Sequence, residues 1–338
     1  MIRFISIVMI FLFSQASFAQ LESDLKLADH YYSQGEYDKA RPYYESVYKT
    51  NPSKIYLSRL LSCLEAEGDL KQAEKVLKKA KAKSPEDLDL KIQLAVFYEE
   101  HNATAKAKKA YESLLANFIV NPSKGIALFN AFVALSKIGY AERALQISQK
   151  VFKNYPFHFQ QADLYSLTNR KEEMLSTYLS LLDKHDYYDK SVQTLILRRL
   201  DLESEESTDF KLLKRVLFEK AQKVNSGVVF SELLIWMYMQ VDNFSGVYSQ
   251  VVAVDLRSKA NGQRLYDFAK TCTENKDYST ALRAFEEARS ITTSRELKLY
   301  SLEGILHVGY IQVSELKQHT SEELQKVLDN YEEALETI

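Results

Sequence analysis

The chain has 338 residues, 46% hydrophobic and 27% charged, with only 9 Gly and 5 Pro. That is ample material for a buried core, and so few turn formers point to long helices joined by short turns. Lys and Arg total 44 against 46 Asp and Glu, so the overall field gives no reason to expect nucleic acid or an anionic membrane as partner.

At the N-terminus Arg3 precedes an apolar run over residues 4–13, and the small residues Ser17 and Ala19 follow. This is the layout of a secretory signal peptide, cleaved after Ala19 to leave Gln20 first. The run is about half the length that a bilayer span needs. No Cys follows the small residues, which argues against a lipid anchor. The most apolar later stretch, 228–241, contains Ser231, Glu232 and Gln240, so no membrane span is expected. The reading is an exported chain, periplasmic or extracellular and soluble after cleavage. Cys63 and Cys272 fall on interior helix positions several repeats apart, which predicts buried free thiols rather than a disulfide.

From residue 21 onward a period of about 34 residues is visible. Ala40, Ala73, Ala107 and Ala144 recur at intervals of 33, 34 and 37, each four residues before Tyr44, Leu77, Tyr111 and Ser148. Upstream of each Ala lies another apolar helical face: Leu27, Ala28 and Tyr31; Leu57, Leu60, Leu61 and Leu64; Leu94, Ala95 and Tyr98; Leu128, Ala131, Phe132 and Leu135. Gly35, Gly68 and Gly139 fall after the first helix of their repeats, where a left-handed residue ends it without a Cβ penalty. Asp38 is placed to cap the second helix of the first repeat. Pro52, Pro85 and Pro156 stop the second helices.

These residues together resemble the tetratricopeptide repeat family, whose pattern joins a small residue in the first helix to Ala, an aromatic and Pro in the second. Residues 21–53 match it best, through Leu27, Ala28, Tyr31, Gly35, Tyr37, Ala40, Tyr44 and Pro52. Further repeats begin near Lys54, Leu88 and Gly125, the last with Phe132 in the small-residue position. A weaker copy surrounds Ala162, Tyr165, Met174 and Tyr178, and later copies occupy 228–258 and 262–294. The resemblance implies an all-α fold, a right-handed superhelical solenoid of antiparallel helix pairs.

Four segments follow: a signal peptide at 1–19, an N-terminal repeat block at 20–186, a divergent helical pair at 187–226, and a C-terminal block at 227–338. The divergent pair carries two apolar stripes, Val192, Leu195, Ile196 and Leu200, then Phe210, Leu213, Val216, Leu217 and Val224, with an acidic connector at 201–209. It reads as a repeat with a long loop or as a hinge between two blocks. The last helix, from about Ser321, carries the stripe Leu324, Val327, Leu328, Tyr331 and Leu335. No polar cap follows it, so either the stack continues beyond residue 338 or part of the stripe is left for self-association.

No chemistry-bearing constellation is found. The six histidines show no zinc spacing, no Gly-rich loop cradles phosphate, and the acidic connector lacks the order of a calcium loop. No metal and no cofactor are expected, and the chain reads as a non-enzyme. Lysines crowd residues 71–83 and recur at Lys106, Lys108 and Lys109, as a solvated outer face or as a patch for an acidic partner.

The family resemblance puts a concave protein-binding groove on the first helices. Here that implies Asp29, Tyr32, Ser62, Glu65, Val96, Glu99, Val133 and Ser136. Relatives that clamp chaperone carboxylates line this groove with Lys, Asn and Arg, whereas Asp29, Glu65 and Glu99 favour an apolar or basic segment. The function implied is an envelope scaffold or adaptor holding a protein or peptide partner. The rival is the sensory ectodomain of a longer envelope signalling protein.

Overall fold

The computed structural model describes residues 20–223, 228–314 and 320–337, without the side chains of Glu323, Glu336 and Thr337. The leader-like residues 1–19 lie outside the described residues, as does Val224 of the second apolar stripe. Among the described residues the regular structure is helical, without strands. The chain divides between Tyr155 and Pro156 into two compact units.

The first unit is a series of four antiparallel pairs. They are α1 (20–33) with α2 (Tyr37–Thr50), α3 (Lys54–Ala66) with α4 (Leu70–Lys83), α5 (Leu88–Glu100) with α6 (Thr104–Asn117), and α7 (Pro122–Ala134) with α8 (Ile138–Val151). The second unit holds α9 (His158–Leu167) with α10 (Lys171–Leu182), and α11 (Asp189–Leu197) with α12 (Thr208–Ala221). It continues with α13 (Val229–Met239) and α14 (Phe244–Ser258), α15 (Gln263–Glu274) and α16 (Tyr278–Ile291), and α17 (Arg295–Ser314) and α18 (Ser321–Thr337).

One device closes most of these pairs. A single residue with φ between +51° and +75° follows the first helix: Gly35, Gly68, Asn102, Ser136, Asn169, Asp242 and Lys276. The next residue then donates its N–H to the carbonyl five positions back, as from Asp69 to Leu64 at 2.8 Å, Ala103 to Tyr98 at 2.7 Å and Asp277 to Cys272 at 2.9 Å. This is the left-handed helix stop that satisfies an orphan carbonyl at each C-terminus. The residue that makes this bond also starts the second helix, and Asp69, Asn243 and Asp277 cap it with their side chains.

The turn residues in the first five pairs are spaced by 33, 34, 34 and 33 residues, which corrects the sequence register in the fourth repeat. Gly139 lies inside the first turn of α8, and Ser136 takes the left-handed position instead. The small-residue site then falls on Phe129, and the Ala and bulky positions fall on Ala141 and Leu145 rather than Ala144 and Ser148. Ala144 is buried as well, but Ser148 packs against Gly125, where an added Cβ would lie 2.2 Å from the Ser148 oxygen. The three extra residues are absorbed after α8, which ends at Val151, well before Pro156. Asp38 likewise sits in the first turn of α2 and makes no cap; Glu36 precedes the helix.

Five residues after each turn residue stand Ala40, Ala73, Ala107, Ala141, Met174, Val247 and Ala281, all buried. Four further on are Tyr44, Leu77, Tyr111, Leu145, Tyr178, Val251 and Phe285, buried too. A small residue lets helix backbones approach, and the large one fills the space a turn away. In the second unit one continuous apolar cluster runs from Ala162 through Val192, Ile196, Phe210 and Leu213 to Val308. The pair α11–α12 contributes to it directly. Its connector is tied down: Asp209 accepts two hydrogen bonds from Lys171 and one from the Asp201 N–H, and the Ser207 side chain caps α12.

Cys63 and Cys272 are buried free thiols, and burial pushes them up to about 11 and about 12. On α18, Val327 packs near Gly309 and Ala334 is buried, while Leu328, Tyr331 and Leu335 remain exposed.

Candidate protein-binding face

Two positions on each first helix, six and three residues before the turn residue, share one side of that helix. In the first unit they are Asp29 and Tyr32, Ser62 and Glu65, Val96 and Glu99, and Asn130 and Val133. Seven of the eight groove residues expected from sequence therefore fall on this side. The eighth, Ser136, is the left-handed turn residue itself, and Asn130 holds the equivalent place. The slip has the same origin as before, since Gly139 imitates a turn glycine three residues late.

The carboxylates of this face have neighbours that alter the chemistry read from sequence. The Tyr44 hydroxyl donates to Asp29 at 2.6 Å. Burial and that carboxylate raise the Tyr44 phenol, so it stays a donor. The Arg59 guanidinium stacks over the Tyr32 ring at 4.3 Å. Glu99 accepts from Lys137 at 2.7 Å and from the Tyr111 hydroxyl at 2.9 Å, and these bonds hold its carboxyl below the ordinary value despite partial burial. Burial raises the Glu65 carboxyl, and the charge of His101 opposes that rise. Charge is compensated at Glu99, where Lys137 reaches back from the following repeat, while Asp29 is held by a neutral hydroxyl of its own repeat. Tyr32, Ser62, Val96, Asn130 and Val133 supply apolar surface and neutral hydrogen-bonding groups between them.

The second unit has the same pair of positions. Asp163 and Ser166 on α9 are bridged by Arg199, which bonds the Ser166 oxygen at 2.9 Å and pairs with Asp163. Trp236 and Met239 follow on α13, then Lys270 and Thr273 on α15. The sequence reading missed these because it placed groove residues only in the first four repeats, just past the small residue of each first helix. Counting from any residue able to adopt the left-handed conformation would have found them, since Asn169 and Asp242 stand at two of those turns.

The second helices are linked differently, by ion pairs spaced about one repeat apart. Arg143 holds Glu112 through two bonds of 2.6 and 2.7 Å, Lys106 reaches Glu74, and Arg215 holds Glu172. Exposed pairs of this kind contribute little individually. Among the described residues no group of three His, Cys, Asp or Glu is placed to hold a metal ion, and no helix is long and apolar enough to cross a membrane.

Family models of the tetratricopeptide repeat match residues 25–87 and 64–118. No curated protein matches the chain. Solved structures similar to it include a tetratricopeptide repeat protein from Parabacteroides merdae, at 12% identity and a TM-score of 0.28, covering 86% of this chain and 99% of that one. The MamA protein is 16% identical with a TM-score of 0.27, covering 51% and 94%. Yeast Tom70 is 15% identical with a TM-score of 0.25, covering 94% and 68%.

Proposed function

The chain is a tetratricopeptide repeat protein through residues 25–118, and from that premise we propose that it is a non-catalytic envelope scaffold holding a protein segment along its first helices. The observation that carries the reading is the recurrence of two surface positions on α1, α3, α5 and α7, at fixed distance from rigid left-handed turns. Such a face is preformed, so binding costs little ordering of the scaffold. With Asp29 and Glu99 already hydrogen-bonded, an apolar segment suits it better than a strongly basic one. Ser62 and Asn130 offer hydrogen bonds to a peptide backbone. The leader-like residues 1–19 support an exported site of action, and fractionation with N-terminal sequencing tests that part: the mature chain starts at Gln20.

Site-resolved photo-crosslinking tests the rest. A photoreactive residue at Ser62, Val96 or Asn130 captures the same partner band in envelope fractions, whereas one at the exposed Lys108 on α6 does not. Equal capture from both faces, or none from the first helices, would sink the reading.

A further inference from the structure

The second helices of the first unit carry a feature that the first-helix face leaves unused. Lys71, Lys75, Lys79 and Lys83 stand four residues apart along α4, all exposed. Like charges at that spacing weaken a helix, and of the four only Lys83, in the last turn, is favoured by the helix dipole. The acid of α4, Glu74, is already engaged by Lys78 and Lys106. Beside the row lies a cavity of about 210 Å³, with Tyr48, Leu60 and Val76 in its wall and Lys49, Lys79 and Lys83 around it. It is a partly apolar recess whose rim carries three lysines, with Gln72 and Glu45 also in its lining and Glu45 held by Arg41 at 3.0 Å.

The complementary surface is on α18. This helix has six acidic residues and one lysine, and Lys326 is paired with Glu286 at 2.9 Å. Arg289 anchors the helix by pairing with Glu333 at 2.6 Å. Even so, Leu328, Tyr331 and Leu335 are 54%, 40% and 79% exposed. Their spacing of three and four residues puts them on one side, with Asp329 and Glu332 exposed beside them. An acidic helix with a protruding apolar row is what the α4 recess is shaped and charged to receive.

We propose that α18 of one copy docks on the α4 lysine row of a second copy, with Leu335 or Leu328 entering the recess and Asp329 and Glu332 facing Lys79 and Lys83. The two surfaces differ, so the contact is head-to-tail and each added copy presents a fresh end. Charge complementarity supplies steering and register, and the apolar row supplies contact area.

Sedimentation velocity on the full chain tests this, over a concentration series at low salt and at ~0.5 M salt, where charges are screened beyond a few ångströms. The chain self-associates at low salt and less at high salt. Lys79→Glu with Lys83→Glu, or Asp329→Lys with Glu332→Lys, each weakens association by at least about tenfold, with urea midpoints reporting that the fold is kept. Mixing the two charge-reversed proteins restores association as an alternating head-to-tail series, because each protein's α18 then meets an α4 of opposite charge on the other. A chain that stays monomeric at every concentration in low salt overturns the inference, as does a mixture of reversed variants that remains apart. A monomer that binds polyphosphate through the α4 row would assign that row to an anionic polymer instead.

Discussion

The pairs α3–α4 and α11–α12 reach similar packing by opposite routes. In α3–α4 the chain reverses over three residues, with Gly68 at φ +75° and Asp69 both closing the first helix and capping the second. In α11–α12 the first helix shrinks to 9 residues after a short 3-10 turn, no left-handed residue follows it, and residues 198–207 bridge the gap. Yet Phe210, Leu213 and Leu217 of α12 are as fully buried as Ala73 and Leu77 of α4. Leu213 and Leu217 also keep the four-residue spacing of Ala73 and Leu77. A helix pair therefore takes its place through the buried side of its second helix, and the turn sets only the register between its two members.

The largest test of that comparison is at Phe210. If α12 is held by its buried face, Phe210→Ala leaves a cavity in the shared cluster of the second unit and costs about 3–5 kcal/mol by urea unfolding. A loss below about 1 kcal/mol would mean that the irregular pair sits beside the core rather than in it. At α4 the complementary experiment overfills the crossing. Ala73 is fully buried, so Ala73→Leu forces neighbouring side chains out of their rotamers and costs about 1–3 kcal/mol. A variant as stable as the parent would show that the crossing has slack.

Much of this architecture was legible because the repeat states it several times. Ala40, Ala73 and Ala107, with Tyr44, Leu77 and Tyr111 four residues on, are buried at equivalent crossings. The fourth repeat misled for a physical reason: glycine is the cheapest left-handed residue, so Gly139 drew the turn to itself, but the chain accepts that conformation at Ser136. The error moved Ser136 into the groove and left Asn130 out. The groove's charge was misread differently. Asp29, Glu65 and Glu99 are visible as acids in the sequence, but their neighbours Tyr44, His101 and Lys137 come from another helix or from turns, and only the fold brings them together.

The register can be sharpened at the turn itself. A non-glycine residue pays for the left-handed conformation, so Ser136→Gly relieves strain and raises stability by about 0.5–1 kcal/mol, net of the added freedom of the unfolded chain. Gly139→Ala, inside α8 with open space around it, is also neutral to stabilising. Were Gly139 the true turn residue, Gly139→Ala would be destabilising and Ser136→Gly would bring nothing.

The smallest effect concerns how neighbouring pairs are joined, and it separates the ion-paired second helices from the apolar core. Glu74 on α4 accepts from the Tyr98 hydroxyl of α5 at 2.9 Å and pairs with Lys78 and, across to α6, with Lys106. The Lys78 bond first, opposed by partial burial and helped by Tyr98 and Lys106, pulls the Glu74 carboxyl down to about 2 from an ordinary 4.5. A carboxylate depressed in the folded state stabilises it fully above its unfolded value and loses that contribution as pH falls toward the folded one. Stability should therefore decline between about pH 4.5 and pH 2 in part through Glu74. Because its partners are largely exposed, the share is that of a surface pair, about 0.2–1 kcal/mol. Glu74→Gln should flatten the stability-versus-pH curve by that amount in this window and leave neutral-pH packing of Ala73 and Leu77 untouched. An identical curve for parent and variant would show that α4 and α6 are held by their apolar faces alone.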